Sequence, residues 1–451
     1  MDNEQMQELL EKKILEFLGK NNYSGLQQFL DDVNPVDLAR VLEELDKPQM
    51  VMVFRLLPKD LAADVFTYMD SAMHQHIVES ISEEEIRALI DEMFIDDAVD
   101  LMEELPSNMV RAVLNSADPN TRKTINNFLK YPENSAGSLM TVEFVGLYET
   151  MTCKEALNCL RKCGVNKETI YNCYATDKSR HLTGVVSLRN ILLSGDNCKI
   201  NEIMHYPVIS ATTLEDQEDV AARFSDYDLI AMPVVDKESR IVGIITIDDI
   251  IDVINQENTE DFEKMAALKP SENEYLKTSV WKLSQNRIVW LMVMMISATL
   301  TGSIISHFEG LLQSAVVLAA FIPMLMDTGG NCGAQASTLM IRGMAVGEID
   351  LKDWLTALWK EFRIGVIVGV MLSLVNLFRI ILFTPASSKV DIVVTVTLFI
   401  TIVFAKVIGC CLPMFARVCK MDPALMASPM ITTIVDAFSL IVYFSIASCL
   451  M

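Results

Sequence analysis

Apolar residues run almost unbroken through five stretches of the C-terminal part of this 451-residue chain: Ile288–Ser306, Leu311–Met326, Ile364–Phe383, Val390–Phe415 and Pro429–Met451. Each is near the roughly 20 residues a helix needs to cross hydrocarbon, the second by continuing through a glycine-rich segment to Ile341. Soluble helices of this length show a polar face; these do not, so the pattern predicts five membrane spans. Up to about Leu129 the pattern is different, with short amphipathic segments and a recurring helix-start signal. The starts are Asn34-Pro35-Val36-Asp37, Leu57-Pro58-Lys59-Asp60, Ile81-Ser82-Glu83-Glu84 and Leu105-Pro106-Ser107-Asn108, with Ile95-Asp96-Asp97-Ala98 between the last two. Pro or Ser followed by acidic residues suits a helix N-terminus, and the spacing of about 24 residues predicts stacked helical repeats.

Between these regions the alternation is that of strands, and it occurs twice. Leu182-Thr183-Gly184-Val185-Val186-Ser187-Leu188-Arg189-Asn190-Ile191 matches Ile241-Val242-Gly243-Ile244-Ile245-Thr246-Ile247-Asp248-Asp249-Ile250. Each copy follows an amphipathic segment (Lys154–Cys163; Leu214–Phe224) and a β-rich one (Ile170–Ala175; Ile230–Val235). The pair resembles tandem CBS domains, regulatory modules that do not by themselves name a substrate.

Charge sharpens the division. From Arg287 onward there are nine acidic and ten basic residues, so the net charge of −23 lies in the first part. That acidity gives no reason to expect a nucleic-acid partner. Basic residues flank the spans unevenly. Arg287 precedes the first, Arg342, Lys352, Lys360 and Arg363 lie between the second and third, and Arg417 and Lys420 lie between the fourth and fifth. Positive residues stay on the cytoplasmic side, which predicts a cytosolic N-terminal part and a C-terminus outside. Met1–Lys13 is acidic and has no apolar core, so no cleaved signal is expected. The ten cysteines and five histidines show no metal spacing and no nucleophile motif appears, so an enzyme is not expected.

The second span contains Asp327-Thr328-Gly329-Gly330-Asn331-Cys332-Gly333-Ala334-Gln335. Unwound, glycine-rich backbone at membrane depth is tolerated where it is buried or lines a wet cavity. The expectation is therefore a break in the helix beside a polar path; a loop at the membrane edge is the alternative. A carboxylate inside the last span, Asp436, is costly unless hydrated or paired. Either it faces a hydrated ion or it forms a structural pair with Lys406, the basic residue deep in the fourth span. Elsewhere the acids crowd: Asp248, Asp249, Asp252, Glu257, Glu260, Asp261 and Glu263 in one segment, and Glu215, Asp216, Glu218, Asp219, Asp226 and Asp228 just upstream. A solvated surface is one reading. Oxygen ligation of a hard divalent cation is the other.

Taken together, the order and motifs resemble the MgtE-type magnesium channel/transporter family over nearly the whole chain. The specific matches are Gly329-Gly330-Asn331-x-Gly333-x-Gln335, Asp422-Pro423-Ala424 and Thr433-Ile434-Val435-Asp436, whereas Ala334 and Asp327 depart from the usual pattern. The resemblance implies a helical superhelix domain over 1–130, α/β CBS units over 131–200 and 201–254, an acidic connecting ("plug") helix over 255–286, and an all-α bundle of five spans over 287–451. It implies a homodimer in the cell membrane that takes up Mg2+ for magnesium homeostasis. The ion would be held hydrated by Asp436, with Asn331 and Asp327 helping. Closure by cytosolic Mg2+ is implied for Asp96, Asp100, Asp216, Glu218, Asp228, Asp249, Asp252, Glu257, Glu260 and Asp261, with Gly137 offering a carbonyl. Adenine nucleotide (ATP) would bind along Ser187, Asn190, Thr246 and Asp249. The competing expectation is a CBS-regulated secondary transporter of another divalent metal such as Co2+.

Overall fold

A computed structural model describes residues 3–270, 275–276, 278–383, 388–426 and 428–450. It divides into two compact units, Met1–Ile254 and Asn255–Met451. Part of the expected connecting segment (271–274 and 277) lies outside the described residues.

The first unit opens with helices Asn3–Gly19 and Tyr23–Leu30, and then settles into a regular beat. Helices begin at Pro35, Lys47, Lys59, Ser71, Glu83, Ile95, Ser107 and Pro119, one every twelve residues. The 24-residue spacing in the sequence is thus a pair of helices. Each turns at a residue held in extended backbone: Asn34, Asp70 and Asp118 accept from helix N–H groups with their side chains, and Ser82 forms a full capping box with Glu85. Every such cap satisfies donors that the helix leaves unpaired. The apolar stripes face one continuous core that includes Leu38, Val53, Phe66, Ile77, Ile90, Val99 and Val113.

Two three-stranded sheets follow, β1 (Val145–Tyr148), β2 (Asn172–Thr176) and β3 (Leu182–Ser187), then β4 (Ala211–Thr212), β5 (Ala231–Val235) and β6 (Ile241–Thr246). In both, the first strand pairs parallel and the third antiparallel with the middle one. The sequence duplication is therefore a structural one. The copies join through β3 and β6: the Leu182 amide donates to the Ser239 carbonyl (3.0 Å), and the Ile241 amide to that of Arg180 (3.3 Å). From β6 the chain passes directly into the connecting helix, Ile247–Met265.

Among the described residues the second unit holds five helices long and apolar enough to span a membrane, within Val280–His307, Val316–Ala345, Leu351–Phe383, Ser388–Val418 and Pro423–Leu450. The expected break at the glycines is not there. Ile322–Ala345 is one continuous helix through Gly329, Gly330 and Gly333. These glycines serve close packing. A Cβ on Gly329 would stand 2.6 Å from Thr401 Cγ2, on Gly330 2.8 Å from Thr432 Cγ2, and on Gly333 2.5 Å from Ile431 Cγ2. Gly409 of the fourth span meets the Gly333 carbonyl still more tightly. Small residues at such contacts let membrane helices approach, where dispersion rather than the hydrophobic effect holds them. The irregular backbone sits before the second and fifth span helices instead, as 3-10 turns at Val316–Phe321 and Pro423–Met426.

Candidate ion pathway and acidic cytosolic cluster

The glycine contacts fix how the second and fifth spans run past each other. Gly329 meets Val435, Gly330 meets Thr432 and Gly333 meets Ile431, so the two helices are antiparallel in close register. The same register puts Asp327 opposite Asp436, near enough for their charges to interact. Along the second span the exposed positions include Asp327, Asn331, Gln335 and Thr338, one face of the helix at steps of three and four. On the fifth span Thr432, Thr433 and Asp436 are half-buried beside them. Thr432 and Thr433 both donate to the Pro429 carbonyl (2.9 and 3.1 Å), which quiets the first turn of that helix without burying its hydroxyls. A stripe of carboxylate, amide and hydroxyl therefore lies on the open face of an otherwise apolar bundle. Cys332 points away from it and is buried.

Lys406 does not pair with Asp436. Its ammonium is buried and donates to Gln335 Oε1 at 3.2 Å. The alternative of a structural ion pair between Lys406 and Asp436 is thus not what the structure forms.

The first unit gathers a second set of acids. Asp96, Asp97 and Asp100 come from the Ile95–Glu104 helix, Asp248, Asp249 and Asp252 from the start of the connecting helix, and Glu143 and Glu168 from loops of the first CBS unit. Burial pushes the Asp96 carboxyl well above its ordinary value, and Asp97, Asp249 and Glu168 add to the effect. Burial first, then neighbouring carboxylates, raises Asp97 and Asp249 to about 6. The same causes raise Asp100 and Glu168 to about 7. Tyr68 is pushed up by burial and by Asp248, Asp64, Asp97 and Asp252, which locates its hydroxyl among them. Like charges so assembled disfavour one another's ionisation. Sequence reasoning missed Asp97, Glu143 and Glu168 as members of this cluster; Asp97 adjoins the expected Asp96, and the two glutamates sit in loops without such a neighbour. Among the described residues no three His, Cys, Asp or Glu side chains converge on a bare metal ion.

Other expected ligands are placed differently. Asp216 caps the Gln217–Tyr227 helix, accepting from the Glu218 amide at 2.9 Å, whereas Asp228 ends that helix in left-handed backbone (φ 49°). Twelve steps at 1.5 Å each put them roughly 18 Å apart, so they cannot share one ion within a single chain. Gly137 is buried where a Cβ would be 2.6 Å from the Tyr131 ring and 2.7 Å from the Thr213 carbonyl. In the second unit, Lys264 Nζ sits 2.6 Å from both Glu260 and Asp422. Burial works against its charge, but the bonds to Asp422 and Glu260 outweigh that and raise its pKa. Burial, then Asp422, raises Asp261 to about 6, and Glu257 also acts on it.

The expected nucleotide edge consists of two equivalent corners. The Ser187 hydroxyl accepts from the Asn190 amide (3.2 Å), and the Thr246 hydroxyl donates to Asp249 Oδ2 (3.0 Å). Each lies where a third strand turns into a helix.

The five candidate spans and the paired CBS-like sheets define a multi-pass membrane protein with appended regulatory domains. Family models match as a divalent cation transporter domain over residues 322–446, an MgtE intracellular N domain over 33–134 and a CBS domain over 200–256. The magnesium transporter MgtE of Thermus thermophilus is 34% identical over 99% of both chains, and that of Bacillus subtilis 30% identical over 97% of this chain and 96% of its own. A crystal structure of the cytosolic domain of the Mg2+ channel MgtE with ATP covers 54% of this chain and 99% of its own, at 34% identity and TM-score 0.52. The chain belongs to the MgtE family.

Proposed function

We propose that this chain passes Mg2+ through the membrane into the cytosol along the polar stripe of the second and fifth spans. The observation that carries the reading is the pair Asp327 and Asp436, facing each other on the open side of an apolar bundle. In lipid such a face is unfavourable by several kcal/mol per charge unless it meets water or protein. A second copy closing over it would supply both. The first span supports a homodimer, since none of its residues is buried within the unit. The donors are carboxylate, amide and hydroxyl oxygens, which favour a hard, hydrated cation over Co2+. The basic flanks favour a C-terminus on the outer side.

Cytosolic Mg2+ closes the path in this reading. Without it, Asp96, Asp97, Asp100, Asp248, Asp249 and Asp252 repel one another; with it, the repulsion is neutralised and the connecting helix is held. Glu257, Glu260 and Asp261 are further ligands in this reading, and Asp216, Glu218 and Asp228 add sites at both ends of one CBS helix. ATP is proposed for the corners at Ser187, Asn190, Thr246 and Asp249, in line with the relative crystallised with ATP. The test is Mg2+ uptake into liposomes holding the purified protein. Asp436→Ala is expected to abolish nearly all flux while the protein assembles as before; parental flux removes Asp436 from the path.

A further inference from the structure

Lys406 and Glu361 are charged, buried side chains of the membrane bundle that the proposed pathway does not use; each keeps less than a tenth of its surface exposed (5% and 8%). Glu361 Oε2 has no hydrogen-bond partner among the described residues, and unpaired buried carboxylates are unstable in a bundle. Lys406 reaches the other way, to Gln335 Oε1 at 3.2 Å. An ammonium has three donors and no acceptor, so it fixes which end of the amide it takes. The Gln335 oxygen is turned to Lys406, and the NH2 end is left for the open face of the second span. A hydrated cation presents outward-pointing water hydrogens, which need acceptors. Gln335 in this orientation offers them a donor.

The third and fourth spans also show where else the ammonium can go. A Cβ on Gly365 would lie 3.3 Å from Lys406 Cβ, and one on Gly369 3.0 Å from Phe399, so these helices are antiparallel and the lysine stem lies against the third. Glu361 is one turn from Gly365, which in this antiparallel register sets it level with about Cys410. Cys410 is itself one turn from Lys406, a Cβ separation of about 5–6 Å. A lysine side chain spans that.

We propose that Lys406 is a tethered cation with two seats, Gln335 and Glu361, and that its move to Glu361 frees the Gln335 oxygen to accept from the ion's water shell. Lys406 is then a positioning residue for transport. This rests on the pathway proposed above. An arriving divalent cation repels the ammonium and so favours the Glu361 seat, the requirement for a ligand to shift a two-state equilibrium.

Mg2+ flux into liposomes tests it with Lys406→Met, Glu361→Gln, the double variant and Asp436→Ala, each checked for assembly by gel filtration. Glu361→Gln removes the competing charge and is expected to lower flux at least about fivefold, the small end of typical couplings. Adding Lys406→Met should restore it, and Lys406→Met alone should be at least as fast as the parent. Parental flux in Glu361→Gln, or a double variant as slow as Glu361→Gln, overturns the proposal. If Lys406→Met does not assemble, Gln335→Glu carries the test, because it holds the ammonium by charge. A fivefold loss there supports the two seats, and parental flux overturns them. Flux that survives Asp436→Ala overturns the pathway and this proposal together, whereas loss of that flux with parental Glu361→Gln overturns this proposal alone.

Discussion

Asp327 and Asp436 stand opposite one another across the contact between the second and fifth spans, their charges close enough to interact. The helices are held in that register by Gly330 against Thr432 and Gly329 against Val435. In the proposed pathway two carboxylates per chain would face one ion. At an effective dielectric near 20, a unit charge about 8 Å away is worth roughly 2 kcal/mol. Asp327→Asn is therefore expected to raise the Mg2+ concentration for half-maximal flux about tenfold or more, with little change in maximal rate. An unchanged concentration dependence in liposomes takes Asp327 out of the site.

Gly330 tests packing and not backbone freedom. Its helix is regular, and a Cβ there would stand 2.8 Å from Thr432 Cγ2. Overpacking of this kind costs about 1–3 kcal/mol. Gly330→Val should lower the thermal midpoint in detergent and reduce Mg2+ flux together, with Gly330→Ala intermediate in both. A valine variant with parental midpoint and flux would show that the helices tolerate separation.

The gating reading predicts that Asp249→Asn with Asp252→Asn leaves the channel open at high cytosolic Mg2+, with the same unitary conductance. A coupling of about 1–3 kcal/mol corresponds to a 5- to 150-fold change in open probability. Single-channel recording with Mg2+ on the cytosolic face decides it. Normal closure in the double variant means the cluster is only a solvated surface.

Proton binding offers an independent check. Asp97 and Asp249 titrate near 6 and Asp100 and Glu168 near 7, all above the ordinary carboxylate range. The folded unit thus holds more protons than the unfolded chain between about pH 4 and 7, and its metal-free stability should fall as pH rises through that window. Mg2+ takes the deprotonated form, so its binding releases protons. The rise in thermal midpoint on adding Mg2+ should be small at pH 5 and large at pH 8; equal rises would exclude these acids.

Much of this was legible from the residues. The five spans and the duplicated strand-to-helix corners follow from periodicity, whereas Asp96 and Asp100 came only with the family resemblance. The 24-residue spacing covers two helices because the intervening starts at Lys47, Ser71 and Pro119 follow Asp46, Asp70 and Asp118 and lack the Leu-Pro or Ile-Ser signature. The glycines misled because a glycine that breaks a helix and one that admits a neighbour are the same letter. Only the position of Thr401, Ile431 and Thr432, remote in sequence, separates the two. The alternative pairing of Lys406 with Asp436 fails for the same reason: the partner it takes instead, Gln335, is 71 residues away in sequence.

The unbroken course of Ile322–Ala345 has a mechanical consequence. Its 24 residues make a rod of about 36 Å, longer than the roughly 30 Å hydrocarbon layer. A rod cannot hinge at its middle; it tilts or slides as a whole, carrying Asp327 and Gln335 with it. Tilt is set partly by bilayer thickness, so the register between Asp327 and Asp436 should respond to acyl-chain length. Mg2+ flux measured across a series of lipids from short to long chains should pass through an optimum, and a flat series would mean that neighbouring helices clamp the rod against the membrane's influence.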